Sequence, residues 1–366
     1  MIKVGITGID GLIGWHLRSF LHGQKGVEVR GADKPEFASK DQLLKFVAGC
    51  DVIVHLAGLN RGDEAEVARA NVEITEALLG ACRAAGARPH IIFSSSTHIY
   101  RDTAYGKSKR GCTELIRAWA AENKTVFSNL ILPNVFGEGG QPFYNSAVST
   151  FCHQLANGQE PEIIKDVEVE LLHAQRVARE IFALINKPVD GDVSPAGTKM
   201  PVSQLLSKIQ QMADSYAGHV IPDLRTPFDL DLFNTYRSYL FPKHAPVAIE
   251  LKKDPRGFLF EASKSPNGGQ TFISSTVPGI TRGNHYHTQK MERFLVINGK
   301  ASVRVRKLFS KDVHEFFVDG GKPAYIDMPT LHTHNITNVG DGELLTLFWS
   351  NEIFDPANPD TYQETV

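Results

Sequence analysis

From Met1 to about Phe241, short apolar runs alternate with helical periodicity. Lys3–Thr7, Val27–Ala32, Val52–Leu56, His90–Ser95 and Val126–Leu132 have the length and β-branched content of buried strands. Leu12–Leu21, Lys40–Ala48, Glu64–Ala85 and Ala104–Asn123 fall between them with helical spacing. Ala147–Asn157, Ala174–Ile185 and Val202–Met212 continue the helical pattern. Strands alternating with helices predict an α/β fold, a parallel sheet covered on both faces.

The pattern changes after Pro242-Lys243-His244-Ala245-Pro246, which reads as a linker. Gln270–Val277, Arg293–Ile297, Ser302–Leu308, His314–Val318, Ala324–Met328 and Leu344–Trp349 are short strand candidates separated by Gly, Pro and Asn. They predict an all-β domain, a small barrel or jelly roll. Residues 1–243 and 247–366 are therefore expected as two domains.

Across the 366 residues, 39 Lys+Arg stand against 41 Asp+Glu, a formal net charge of −2. That balance argues against nucleic acid or a membrane surface as partner. With 22% charged and 42% hydrophobic residues, most of the chain has enough apolar content to fold. Met1-Ile2-Lys3-Val4 runs straight into a strand pattern, and no apolar stretch approaches the roughly 18 residues of a membrane span. Cys50, Cys82, Cys112 and Cys152 form no Cys-x-x-Cys pair, so they read as small buried hydrophobes in a reduced, cytoplasmic setting.

Thr7-Gly8-Ile9-Asp10-Gly11-Leu12-Ile13-Gly14 joins the first strand to the first helix. Glycine there permits a tight turn and close approach of a pyrophosphate, and the helix N-terminus supplies free N–H groups. Asp33 follows about 20 residues on, where a carboxylate can accept ribose hydroxyls and favour NADH. Lys34 and Arg30 are the alternative, a grip on a 2′-phosphate. Leu56-Ala57-Gly58 after His55 can pass beneath a dinucleotide, and Asn71 lies on the helix that follows.

Tyr105 and Lys109 are four apart on a predicted helix and so share a face. An ammonium beside the phenol is expected to lower its pKa from about 10 toward working pH. The phenol then exchanges a proton with a carbonyl oxygen that the Ser96 hydroxyl positions.

These residues resemble the extended short-chain dehydrogenase/reductase family, a Rossmann fold. The resemblance implies Ser96, Tyr105 and Lys109 as the catalytic set. It implies the Thr7–Gly14 loop, Asp33, Leu56–Gly58 and Asn71 around the cofactor. Pro133 is implied near the nicotinamide and Asn134 near the sugar nucleotide. Ser96-Thr97-His98 lacks the acids that sugar-nucleotide dehydratases of this type carry there, which argues against a dehydratase. Ile131 stands where an arginine is common in the family.

Gly283-Asn284-His285-Tyr286-His287, Glu292 and Pro329-Thr330-Leu331-His332-Thr333-His334 resemble the two motifs of a cupin, a jelly-roll barrel. The resemblance implies His285, His287, Glu292 and His334 as ligands of zinc or another divalent transition metal. Leu331 stands where the second motif carries glycine, and His332 has no counterpart in it.

A reductase joined to a cupin resembles a family of bifunctional capsule and O-antigen enzymes on the route to UDP-N-acetyl-L-fucosamine. It implies C3 epimerisation of a UDP-2-acetamido-2,6-dideoxy-4-ketohexose in the cupin, then C4 reduction to the β-L-talose sugar. It also implies NADPH as reductant, a UDP-sugar as partner and a homodimer or tetramer. The epimerisation base is open among His314, His332, Tyr286 and Tyr325. The alternative reading is a single-activity 4-ketoreductase or 4-epimerase with a structural, oligomerising cupin.

Overall fold

The computed structural model describes residues 1–249, 262–266, 268–352 and 354–366, with only the backbone of two short strands at 252–254 and 257–259. The elements run β1 Ile2–Thr7, α1 Leu12–His22, β2 Val27–Ala32, α2 Lys34–Ala38, α3 Lys40–Val47, β3 Val52–His55, α4 Glu64–Ala85, β4 His90–Ser96, α5 Ala104–Asn123 and β5 Phe127–Leu132. There follow β6 Asn134–Phe136, α6 Ala147–Ala156, β7 Glu168–His173, α7 Ala174–Asn186, β8 Gly191–Val193, β9 Thr198–Pro201, α8 Val202–Ala217 and α9 Pro227–Leu240. The rest is β: β10 Val247–Ala248, β11 Lys252–Asp254, β12 Gly257–Leu259, β13 Gln270–Thr276, β14 Thr281–Tyr286, β15 Glu292–Asn298, β16 Lys300–Lys307, β17 Val313–Asp319, β18 Ala324–Met328, β19 His332–Asn338, β20 Leu344–Ser350 and β21 Tyr362–Gln363.

By compactness the chain divides into a first unit, Met1–Thr150 with Lys165–Val202, and a second, Phe151–Ile164 with Ser203–Val366. The first unit carries a parallel sheet in the order β2-β1-β3-β4-β5-β8. Its strands are nearly continuous apolar runs because both faces are covered. Val4, Ile6, Val54, Ile92 and Leu130 face α1 and α7 in one core. Ile53, Ile91, Phe93 and Phe127 face α3, α4 and α5 in the other. Strand order reverses between β1 and β3, where doubly wound folds bind ligands at the carboxyl ends of the strands.

Local caps set the functional helices. The Asp63 carboxylate accepts the amides of Ala65 and Glu66 at the start of α4. The Thr103 hydroxyl accepts the Gly106 amide and so starts α5 just before Tyr105.

In the second unit two five-stranded antiparallel sheets, β10-β18-β15-β20-β13 and β17-β16-β19-β14-β21, share one core. Phe294, Met328 and Phe348 come from the first sheet, and Val303, Val305 and Ile336 from the second. The Pro242–Pro246 segment is not a bare linker. Phe241 and Ala245 pack on that core, and the Phe241 ring meets His314 at 5.4 Å and His332 at 5.5 Å between centroids. Among the described residues no helix is long and apolar enough to cross a membrane.

Candidate functional site

A cleft of about 780 Å³ opens at the reversal point of the parallel sheet. The β1–α1 loop forms one wall. Gly8 has φ +69°, and a Cβ there would stand 2.9 Å from the Ala57 amide nitrogen. A Cβ at Gly14 would stand 2.1 Å from the Gly8 carbonyl oxygen, so only glycine lets α1 start this close to the turn. Gly8, Gly11, Leu12, Ile13, Gly14, Leu56, Gly58, Ser96, Tyr105, Lys109, Pro133 and Asn134 all line the cleft.

Four more residues expected at the cofactor, Thr7, Ala57, Asn71 and Asp33, make contacts that tie the loops of this wall together. The buried Thr7 hydroxyl accepts the amides of Leu56 and Ala57, both at 3.1 Å, so Thr7 and Ala57 tie two loops together. The Asn71 amide brackets Leu59, accepting its N–H at 2.7 Å and donating to its carbonyl at 2.8 Å. It also donates to Ser108 on α5. Asp33 accepts the amide of Asp10 in the glycine-rich turn, at 3.2 Å. Arg30 pairs with Glu28 at 2.8 Å. Ile131 is a buried residue of β5.

Lys109 is 5% exposed and donates to the Ser94 carbonyl at 2.7 Å. Its Nζ is 4.6 Å from the Phe93 ring centre and 5.8 Å from that of Tyr105. Burial pushes the Lys109 pKa down to about 8. The expected lowering of the Tyr105 pKa is corrected by the structure. Burial pushes the phenol up to about 12, and its hydrogen bond with Ser96 offsets only part of that. Desolvation wins because the lysine head is turned to Ser94 and the face of Phe93. His98 meets the phenol ring edge-on at 5.7 Å.

The second unit gathers His285, His287, Glu292 and His334, whose ligand atoms all lie within 4.8 Å of one another. The three imidazole Nε2 atoms stand 3.9, 3.0 and 3.4 Å from Glu292 Oε2, in the order His285, His287, His334. All three are buried and none has a hydrogen-bond partner of proper geometry among the described residues. His287 Nδ1 is 2.7 Å from the Asp360 carbonyl and His334 Nδ1 is 3.2 Å from that of His332. A carbonyl only accepts, so each Nδ1 carries a proton and Nε2 is the nitrogen turned to the cluster. Burial lowers the His334 pKa to about 4, which keeps it neutral. Burial pushes the Glu292 carboxyl up, but the three imidazoles more than offset this and hold it well below the usual range.

Leu331 explains its own departure from the motif. Its φ is +59°, the left-handed region that favours glycine. Its amide donates to the His287 carbonyl at 2.9 Å, and its side chain is fully buried. Of the four base candidates, Tyr286 stacks on Tyr362. The Tyr325 ring lies under Arg293 at 3.7 Å. His314 and His332 flank Phe241. Asp360 and Arg61 were not singled out from the sequence. Both act through main-chain contacts far along the chain, which leave no local spacing to read.

The chain belongs to the NAD dependent epimerase/dehydratase family, whose model matches residues 4–196. A second model, the polysaccharide biosynthesis C-terminal domain, matches residues 252–362. The chain is 32% identical to UDP-2-acetamido-2,6-beta-L-arabino-hexul-4-ose reductase of Pseudomonas aeruginosa, across 100% of this chain and 99% of the relative. Among solved structures it is similar to the capsular polysaccharide assembling protein CapF from Staphylococcus aureus, at 33% identity and TM-score 0.62, covering 99% of this chain and 100% of that one. A UDP-N-acetylglucosamine 4-epimerase from Methanobrevibacter ruminantium M1 shares the fold at 18% identity and TM-score 0.56, covering 65% of this chain and 98% of that one.

Proposed function

We propose that the chain is a bifunctional nucleotide-sugar enzyme of surface-polysaccharide synthesis. Its C-terminal barrel, read as a cupin, epimerises C3 of a UDP-2-acetamido-2,6-dideoxy-4-ketohexose. Its N-terminal half then reduces C4 with NADPH, giving UDP-2-acetamido-2,6-dideoxy-β-L-talose. The observation that carries the reading is the Ser96, Tyr105 and Lys109 set beside the glycine-rich loop in one cleft. It lies in a chain similar from end to end to a hexul-4-ose reductase.

A bound nicotinamide supplies hydride to C4. The chain's part is the proton and the geometry. The Tyr105 phenol, neutral at working pH, is in the form needed to donate to the C4 oxygen as charge develops there. Ser96 lies beside that phenol in the cleft and offsets part of the burial cost of its ionised form. Lys109, its pKa pushed down to about 8 by burial, is tied to the Ser94 carbonyl and braces the wall beside Tyr105.

In the barrel, imidazole nitrogens 3.0 to 3.9 Å from Glu292 Oε2 suit bond lengths of about 2.1 Å to a zinc-sized ion. Three imidazoles with converging Nε2 atoms and an ionised carboxylate make up such a shell. A metal held there supplies Lewis acidity toward a sugar ketone. The 4-keto group acidifies the C3 proton, so exchange at C3 precedes and does not need reduction.

The test is NMR of the product formed with NADPH from the 4-keto UDP-sugar in D2O. A talo product carrying deuterium at C3 supports both steps. A reduced product without deuterium at C3 leaves a single-activity reductase. NADH used in place of NADPH with equal efficiency overturns the cofactor assignment alone.

A further inference from the structure

The cleft of the first unit must hold two highly charged molecules on the proposed function, because a dinucleotide and a UDP-sugar each carry a diphosphate. The glycine-rich turn and the start of α1 serve one of them. The lining offers little for the other. Arg61 and Lys109 are its only lysine or arginine side chains among the described residues, and the Asp10 and Glu64 carboxylates share the wall with them. Lys109 is buried and held by Ser94 beside Tyr105, so it belongs to the reacting end.

Arg61 is different. Its Nη1 donates to the carbonyl oxygens of Phe143, at 2.7 Å, and Tyr144. Its guanidinium lies 5.8 Å from the centre of the Tyr144 ring. Phe143 takes the left-handed φ of +57° that turns its carbonyl toward the arginine. These contacts fix the fork but neutralise none of its charge. Among the described residues Arg61 has no carboxylate partner, and Nε and Nη2 donate to no protein group. A planar cation held by main chain and aromatic ring, with two donors left over, matches a phosphate oxygen pair.

We propose, resting on the reading above, that Arg61 binds the diphosphate of the nucleotide sugar and determines affinity for it. In doing so it joins the Leu59–Gly62 turn to the Gln141–Ser146 loop across the bound sugar nucleotide.

The probe is UDP itself, titrated calorimetrically into the full-length protein saturated with NADPH. Arg61→Gln should weaken UDP about tenfold to a hundredfold, the loss of one or two charge-assisted hydrogen bonds. NADPH affinity should stay as in wild type, which also shows that the cleft is folded. Arg61→Lys keeps the charge and loses the fork, so it should fall between the two. Raised salt should weaken UDP binding in wild type more than in Arg61→Gln. Unchanged UDP affinity in Arg61→Gln overturns the assignment while leaving the proposed function standing. Weakened NADPH with unchanged UDP places Arg61 at the cofactor and also overturns it. A wild type that binds NADPH but no UDP overturns the nucleotide-sugar reading itself.

Discussion

The His287 ring is oriented by the main chain of Asp360, whose carbonyl oxygen accepts from Nδ1 at 2.7 Å. The Asp360 carboxylate in turn collects the amides of Thr288, Gln289 and Lys290 at 3.1, 2.7 and 2.7 Å, and the Thr288 hydroxyl at 2.5 Å. A residue near the C-terminus thus pins the turn between β14 and β15 and orients one histidine of the cluster. In metal sites, loss of a partner of this kind typically costs about tenfold to a hundredfold in affinity.

Asp360→Ala should therefore weaken zinc binding about tenfold to a hundredfold without removing a ligand. His334→Ala should abolish it. Competition with a chromophoric chelator reads both, and purified wild type should carry a single transition metal ion per chain. Equal zinc affinity in wild type and Asp360→Ala would show that the turn holds its shape without the carboxylate.

Leu331 sets two opposing effects against each other. Leu331→Gly relieves a left-handed backbone worth about 1–2 kcal/mol. It also removes a fully buried leucine side chain, which costs about 2–5 kcal/mol. Burial is the larger effect, so the variant should be less stable, by up to about 4 kcal/mol, and melt at lower temperature. Leu331→Asn should be worse than Leu331→Gly, because it buries an amide without giving back the apolar contact. A Leu331→Gly protein more stable than wild type would show that backbone strain outweighs packing there.

Much of this was legible because period and spacing carry it. Glu64–Ala85 and Ala104–Asn123 fall on α4 and α5 residue for residue, and the glycine-rich loop sits where β1 meets α1. The motif resemblance named His285, His287, Glu292 and His334, and the structure gathers them because His285 and His334 lie opposite each other on paired strands. The loop-tying hydrogen bonds of Thr7 and Asn71 were not legible, since a sequence shows that a polar residue is near a loop but not which way it faces. The Pro242–Pro246 segment looked like a linker because its apolar neighbours Phe241 and Ala245 pack on strands far along the chain. The phenol pKa went the other way because burial of Tyr105 is a tertiary property.

Lys109 gives a pH test with a definite sign. Its folded pKa is about 8, depressed by burial from an ordinary value of 10.5. Between those two values the unfolded chain holds a proton that the folded one has released. Stability from this group therefore rises as pH climbs from about 8 to about 10.5, by up to about 3 kcal/mol. Lys109→Met has no such proton. Urea unfolding of both proteins at pH 8 and pH 10.5 should show wild type gaining on the variant by that order. A difference that stays flat across the window would mean that Lys109 keeps its proton when folded.

Tyr105→Phe separates the two chemistries. It deletes the hydroxyl proposed to donate to the C4 oxygen and leaves the ring packed against His98. Loss of a positioned general acid typically costs about 10²- to 10⁴-fold in rate, so NADPH oxidation with the 4-keto sugar nucleotide should nearly cease. Tyr105 is absent from the His285, His287, Glu292 and His334 cluster, and enolisation at C3 needs only a base and the ketone already present. Deuterium should therefore still enter C3 in D2O at close to the wild-type rate, read by mass spectrometry of the recovered substrate. Glu292→Gln should do the reverse, stopping exchange while NADPH still binds. If exchange dies together with reduction in Tyr105→Phe, both steps share one site and the barrel's cluster has no part in the epimerisation.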